Sequence, residues 1–343
     1  MPIDVSINKF SDTEWEGLIE NIPQHSLYHH IGWRKVIIKS FDQPTYYLTA
    51  HENNLIAGAL PLVHLKSIIF GNFLISLPYF NYAGVSAKNK EAEKALVKKA
   101  IELADSVGTD YIELRYTENR DLGLPVKLNK VTFFLKLNYS LEETWKALDP
   151  KVRNQVRKAE KSNCQIEIGG IEKVDDFYNV FCVNMRDLGT PVYSKTFFKN
   201  ICEEFPDIAK ILVVKMGNKT VAAGFTLAHN NVLELPWASS LRKYNKYCVN
   251  MFLYWEIIKH ASTNKFEWFD FGRCSKDVST YHFKKQWGAE ERQLYWHYWT
   301  KEGTEKPEVN PHNPKYKIFI TIWRRLPLWI TKTIGPRIVR NIP

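Results

Sequence analysis

The chain has 343 residues, 45% hydrophobic and 24% charged, a globular balance with length for about two domains, which excludes disorder over most of it. Its formal charge of +10, from 47 basic and 37 acidic residues, admits an anionic partner without selecting one. Five cysteines at 164, 182, 202, 248 and 274 form no CxxC pair, so neither a disulfide framework nor a zinc site is expected, and a reducing cytoplasm is.

No basic segment followed by an apolar run opens the chain, so no secretory signal is expected. Ser11 and Glu14 have capping-box spacing for a first helix, and a second follows His30. Pro44–His51 and Leu55–Leu65 read as strands around an Asn53-Asn54 turn. The longest uncharged stretch, Ser67 to Ala87, contains Gly71, Asn72, Pro78, Asn81 and Gly84, which suits strand–turn–strand rather than a membrane span. A helix over Lys90–Ser106 and strands over Asp110–Tyr116 and Val131–Leu137 come next. Ser140 and Glu143 then cap a helix leading into the basic run Lys151–Lys161.

The second half repeats this order. Tyr47–His64 aligns without gaps on Leu212–His229, placing Asn53, Ala57, Leu62 and His64 opposite Asn218, Ala222, Leu227 and His229. Each segment is followed by strand, loop and helix and then by an aromatic strand, Tyr111–Tyr116 or Phe266–Gly272. The reading is an α/β protein with mixed sheets, duplicated from one unit. The expected divisions are 1–148, 149–300 (the catalytic unit), a polar proline-rich linker 301–314 and a tail 315–343. The tail carries seven basic residues and no acidic one, with aromatic and aliphatic residues between them. Without it the body is near neutral, so the basic balance is a property of the tail.

The densest chemistry lies in Phe266–Glu290. A strand ends at Gly272, a polar loop carries Arg273, Ser275, Lys276 and Ser279, and a helix places Tyr281, Lys284 and Lys285 within one turn. Cations and hydroxyls gathered after a strand end suit an anionic group or a developing oxyanion. The run DFGR, a polar loop and then YHFKKQWG resembles the signature of FemAB-like proteins, most of all the branch associated with exosortase/PEP-CTERM systems in bacteria. Lys151–Lys161, Met185–Pro191 and the ending from Trp323 to Pro343 extend the resemblance over most of the chain.

That resemblance implies two tandem folds of the GNAT type and acyl transfer to an amine. The acceptor would be a precursor of cell-envelope peptidoglycan or of exopolysaccharide, and the best-known relatives take the acyl group from aminoacyl-tRNA. Under it Lys284 is the cationic stabiliser, Tyr281 a general acid and Asp270 a proton acceptor or structural carboxylate. Arg273, Ser275, Lys276, Lys285, Arg186 and Arg242 are substrate-binding candidates, and Lys151, Arg153, Arg157 and Lys158 offer a tRNA contact. No tightly bound cofactor and no metal are expected; His29, His30 and His64 read as cap or core residues. The donor stays open between aminoacyl-tRNA and acyl-CoA. Where acetyl-CoA enzymes carry small residues in the pyrophosphate loop, this chain has Asn245 and Tyr247 after Arg242, which disfavours CoA in its usual mode. A non-catalytic module binding an envelope glycan or lipid-linked precursor is the reading from another class. The protein is expected to be cytoplasmic, and its tail 315–343 either packs back with Trp323 and Trp329 buried or meets the inner face of the cytoplasmic membrane.

Overall fold

The computed structural model describes residues 3–22, 25–53, 55–137, 140–276, 278–303 and 314–342. Asn54 of the first turn, the 304–313 part of the linker and the Lys315 side chain lie outside the described residues. In chain order the first elements are β1 (Asp4–Ile7), α1 (Asp12–Glu20), α2 (Gly32–Phe41), β2 (Thr45–Glu52), β3 (Leu55–Ser67), β4 (Gly71–Ile75), β5 (Ser86–Ala87), α3 (Lys90–Val107), β6 (Tyr111–Tyr116) and β7 (Val126–Lys127). There follow β8 (Lys130–Lys136), α4 (Leu141–Ala147), α5 (Pro150–Glu160), β9 (Cys164–Gly169), α6 (Val174–Leu188), α7 (Lys195–Glu204), β10 (Ala209–Met216), β11 (Lys219–His229) and β12 (Val232–Ser240). The chain ends with α8 (Val249–Thr263), β13 (Trp268–Asp270), β14 (Cys274–Ser275), α9 (Ser279–Lys285), β15 (Glu290–Gln293), β16 (Tyr295–Thr300), α10 (Pro314–Trp323) and α11 (Leu328–Val339).

Local chemistry explains the helix ends. Ser11 accepts from the Glu14 N–H while Glu14 bonds the Ser11 N–H, and Ser140 accepts from the Glu143 N–H, so both sequence caps form. Asn89 caps α3, which ends at Gly108 with φ +71; between them Ala92, Leu96, Ala100, Leu103 and Ala104 bury one face. By contrast α8 is apolar nearly all round. It buries Val249, Phe252, Leu253, Trp255, Ile257, Ile258 and Ala261 because the sheet covers one side and α5 the other.

The chain divides into two compact units, one of Met1–Lys130, Gln293–Val309 and Arg340–Pro343, the other of Val131–Arg292 and Asn310–Val339. Each has one mixed eight-stranded sheet. The first runs β1-β2-β3-β4-β6-β16-β7, with β5 on β3; the second runs β9-β10-β11-β12-β13-β8-β14, with β15 on β8. Taken in these orders the sheets match strand for strand. In each, four antiparallel strands meet a parallel neighbour (β4 with β6, β12 with β13), and an antiparallel strand follows (β16 or β8). The fold is thus two tandem copies of one α/β unit.

The units part at Lys130/Val131, not at 148/149, because the copies exchange strands. The sheet of the first unit takes Tyr295–Thr300 from late in the chain, and that of the second takes β8, which follows the first repeat. The tail is two helices joined across Pro327, while Pro336 lies inside α11 instead of breaking it. Among the described residues no helix is long and apolar enough to cross a membrane.

Candidate functional site

In the second unit, β12 and β13 are parallel neighbours only from Val232–Glu234 against Trp268–Asp270. On its other side β12 stays paired with β11 as far as Ser240, after a bulge that places Leu235 and Pro236 where the register between Phe225 and Leu227 shifts. Bulges re-aim a strand and end pairing, and Pro236 removes a donor at that point. From Leu235 to Ser240 one edge of β12 therefore has no strand beside it among the described residues. That edge faces a cleft of ≈ 490 Å³ lined by Ala238, Ser239 and Ser240, the start of α8 at Asn250 with Leu253 and Tyr254, and Ser279, Thr280 and Phe283 of α9. Asn184 of α6 also lines it and donates to the Ser239 hydroxyl at 3.1 Å.

The turn after β13 lies where the two parallel strands separate. Gly272 has φ +72, and a Cβ there would stand 2.9 Å from the Leu235 carbonyl oxygen, so only glycine fits where the parallel strands separate. The Gly272 N–H and the Thr132 hydroxyl donate to Asp270 Oδ1, at 2.8 and 2.5 Å. Lys284, also buried, donates from Nζ to the Gly272 and Arg273 carbonyls at 2.6 and 3.1 Å. Burial lowers its ammonium to a pKa of about 8, against the opposing pull of Cys274, Asp270 and Glu234.

The sequence-derived candidates fall into separate places. Asp270 and Lys284 come together as the buried clamp on the Gly272–Arg273 turn, and Asp270 has the environment of a structural carboxylate. Lys284 is not among the residues lining the cleft, although its neighbour Phe283 is. Tyr281 donates to Glu291 at 2.5 Å, Lys276 pairs with the same carboxylate at 3.7 Å, and the Lys285 ammonium lies 6.0 Å from the Tyr281 ring centre. Arg273 and Ser275 are half-buried in and beside β14. Arg186 and Arg242 are not in this cleft at all. Arg186 pairs with Asp187 at 2.7 Å and Arg242 donates to the Asp187 carbonyl at 2.9 Å, so the C-terminal end of α6 draws both into a second cleft of ≈ 700 Å³. Lys219 and Lys243 also line that cleft, and the Lys219 ammonium lowers the Lys243 pKa.

On α5, Val152, Val156 and Ala159 are buried, and Arg157 lies over the Trp145 ring at 5.5 Å. Lys151 and Lys158 are exposed, and Arg153 is half-buried. Residues 242–247, where a glycine-rich loop would cradle phosphate, instead wind into a 3₁₀ turn. Cys248 then enters α8 at φ +56 with no side-chain cap. The Tyr244 and Tyr247 rings, 6.3 Å apart, occupy that turn, and Asn245 points its segment toward the smaller cleft.

The same strand separation in the first unit is filled. Beyond Ile75 the Ser76 N–H donates to the Glu113 carbonyl and the Ser76 hydroxyl accepts from the Arg115 N–H, both at 2.9 Å. Arg115 donates to the Phe80 carbonyl at 2.6 Å, and the Gly84 N–H donates to the Arg115 carbonyl at 2.8 Å. The segment from Leu77 to Gly84 thus occupies the place of an open cleft, at the cost of positive φ at Leu77 and Tyr79. His29 is part of this packing, with Nδ1 accepting from the Ser26 N–H at 3.0 Å and Nε2 at 2.7 Å from the Gly84 carbonyl. It is a cap and core residue, and burial lowers its pKa to about 4. His64 bonds Asn72 at 2.5 Å, and His30 bonds Glu16 at 2.7 Å.

Residues 150–285 match the acetyltransferase (GNAT) domain family. No curated protein matches the chain in sequence. Among solved structures, FemX superposes with a TM-score of 0.63 at 13% identity, covering 85% of this chain and 96% of FemX. The C-terminal domain (DUF2156) of a candidate lysylphosphatidylglycerol synthetase from Agrobacterium fabrum gives 0.57 at 12% identity, covering 83% and 90%. A tandem GNAT protein from the clavulanic acid biosynthesis pathway gives 0.53 at 10%, covering 90% and 100%. At these identities the likeness is one of fold: the chain has a tandem GNAT-like fold, and residues 150–285 match the GNAT acetyltransferase domain within it.

Proposed function

We propose that the second unit transfers an activated acyl group, aminoacyl in preference to acetyl, to an amine of a cell-envelope or exopolysaccharide precursor. The observation that carries this reading is the open edge of β12 from Leu235 to Ser240 above its cleft. An edge with no strand beside it can bind an extended ligand through its backbone and offer N–H groups to a tetrahedral oxyanion. An aminoacyl ester is already activated. The protein has to align amine and carbonyl and stabilise the oxyanion while the C–N bond forms; the ester C–O bond then breaks and the amine's proton passes to the leaving oxygen, which departs as a hydroxyl.

Lys284 is a positioning residue in this scheme. It fixes the Gly272–Arg273 turn, and below a pH of about 8 its charge adds positive potential behind the cleft wall. The 3₁₀ turn at 242–247 and the side chains of Asn245 and Tyr247 favour a donor other than CoA, since backbone cannot close on a pyrophosphate past two bulky residues. The likenesses to FemX and to a lysylphosphatidylglycerol synthetase domain support an envelope precursor or a lipid headgroup as acceptor and charged tRNA as donor.

The test offers labelled aminoacyl-tRNA and labelled acetyl-CoA separately to the full chain with an envelope-precursor extract. Label is expected to move to the extract from the tRNA and not from the CoA. Ser240→Trp, which fills the cleft, is expected to abolish that movement. Transfer from acetyl-CoA alone establishes the acyl-CoA reading instead, and binding of precursor without transfer from either donor makes the unit a recognition module.

A further inference from the structure

We propose that α10 and α11 form a pad that seats the second unit on an anionic lipid surface. One face of this helix pair is fixed to the unit. Trp323 is buried and stacks on Phe319 at 5.3 Å, and Ile320 packs on Gly189, where a Cβ would stand 2.5 Å from it. On α11, Thr331, Gly335 and Val339 are buried, Gly335 so closely against Val192 that a Cβ would lie 2.9 Å from its backbone nitrogen. The Lys332 ammonium sits 5.3 Å from the Tyr178 ring centre on α6. The tail therefore holds a defined orientation on its own unit.

Other side chains of the pair have the opposite character. Ile318 is 64% exposed, Ile322 56%, Trp329 70% and Ile334 42%. A single exposed isoleucine needs no explanation, but four large apolar side chains on one short helix pair do. The charge around them has one sign: residues 315–343 contain seven basic residues and no acidic one. Lys317 and Arg325 are exposed beside the apolar group, and Arg324 reaches back to the Leu188 carbonyl at 3.2 Å.

Exposed cations beside exposed isoleucine and tryptophan are the composition of helices that lie in a lipid interface, where the rings and aliphatic chains enter the acyl boundary and the cations meet acidic headgroups. Charge complementarity sets the sign of the partner. The apolar side chains decide between anionic partners, because a nucleic-acid backbone offers them no apolar phase. Neither helix is long enough to span, so the contact is peripheral. This inference concerns a surface outside the cleft and stands apart from the transfer reading.

The test sediments the full chain with vesicles of phosphatidylcholine alone and with vesicles about a third phosphatidylglycerol. The bound fraction is expected to be at least about tenfold higher on the anionic vesicles and to fall as salt is raised. A triple variant, Ile318→Ser, Ile322→Ser and Trp329→Ser, is expected to lose about tenfold or more of that binding with an unchanged melting temperature, since all three side chains are exposed. Equal binding to both vesicles, binding to neither, or a triple variant that binds as well as the parent overturns the proposal. So does tRNA binding that survives the triple substitution in a chain that ignores vesicles.

Discussion

Lys284 donates its ammonium to the carbonyl of Gly272 at 2.6 Å, and Gly272 is the residue at which the parallel strands of the second unit separate. A buried cation thus holds the turn at which those strands part. Its hydrogen bonds are to backbone, so its burial is offset by carbonyl dipoles and not by a directly bonded carboxylate among the contacts described. Such a clamp has a pH signature.

Folding holds the Lys284 pKa near about 8 against an ordinary value of 10.5, so between those pH values the unfolded chain binds more protons than the folded one. Stability from this group therefore rises as pH goes from about 8 to about 10.5, by up to about 3 kcal/mol. In urea titrations the parent chain is expected to gain on Lys284→Met over that interval. Parallel pH profiles for the two chains would show that the lysine is not desolvated as described.

Gly272→Ala is the most direct test of the strand separation. Alanine at φ +72 is strained by about 1–2 kcal/mol, and its Cβ would also press on the Leu235 carbonyl at 2.9 Å. The variant is expected to lose at least about 2 kcal/mol in urea denaturation, and transfer activity by more than the unfolded fraction accounts for. Gly217→Ala, also at positive φ but with nothing within 4 Å, should lose only the backbone strain.

Two ion pairs of equal length in the structure separate burial from proximity. Arg115 and Glu113 approach at 2.6 Å, both buried, with the Tyr298 hydroxyl donating to the same carboxylate and Trp296 under the guanidinium at 4.3 Å. Lys146 and Glu142 also approach at 2.6 Å, but both are exposed. Glu113→Gln is expected to cost about 3–5 kcal/mol because it strands a buried guanidinium. Glu142→Gln is expected to cost under about 0.5 kcal/mol. Similar losses in the two variants would contradict the closed packing of the first unit's strand separation.

The hairpins of the repeat could be read in sequence because turn residues and alternating strands are local: β2–β3 and β10–β11 both form where Asn53 and Asn218 were aligned. The exchange of β8 and β16 could not, since either strand has the alternation of any half-buried strand and only tertiary pairing chooses its sheet. Around the cleft, the Asp270–Lys284 segment was legible as a motif, whereas the position of Arg242 at a second cleft was not, because the pull of Asp187 depends on where α6 ends. Ser239, Ser240, Asn184 and Asn250 were missed, as small polar residues carry no period. One signal was available: Pro236 inside a strand marks a bulge or a bare edge, and here it marks both.

His29 gives the first unit an acid sensitivity of predictable sign. Burial lowers its pKa to about 4, while unfolded histidine titrates near 6.5, so below about 6.5 the unfolded chain takes a proton that the folded chain refuses. Stability should fall as pH drops from about 6.5 toward about 4, with this residue accounting for up to about 3 kcal/mol of the loss. Its ring is fixed neutral by its bonds: Nδ1 accepts from the Ser26 N–H, leaving Nε2 to donate to the Gly84 carbonyl. His29→Gln should weaken the protein at neutral pH, because one amide cannot reproduce both bonds, yet flatten its decline in acid. The measurement is the difference between parent and variant in unfolding free energy at pH 7 and at pH 5. A difference that does not narrow at the lower pH would remove His29 as the group responsible.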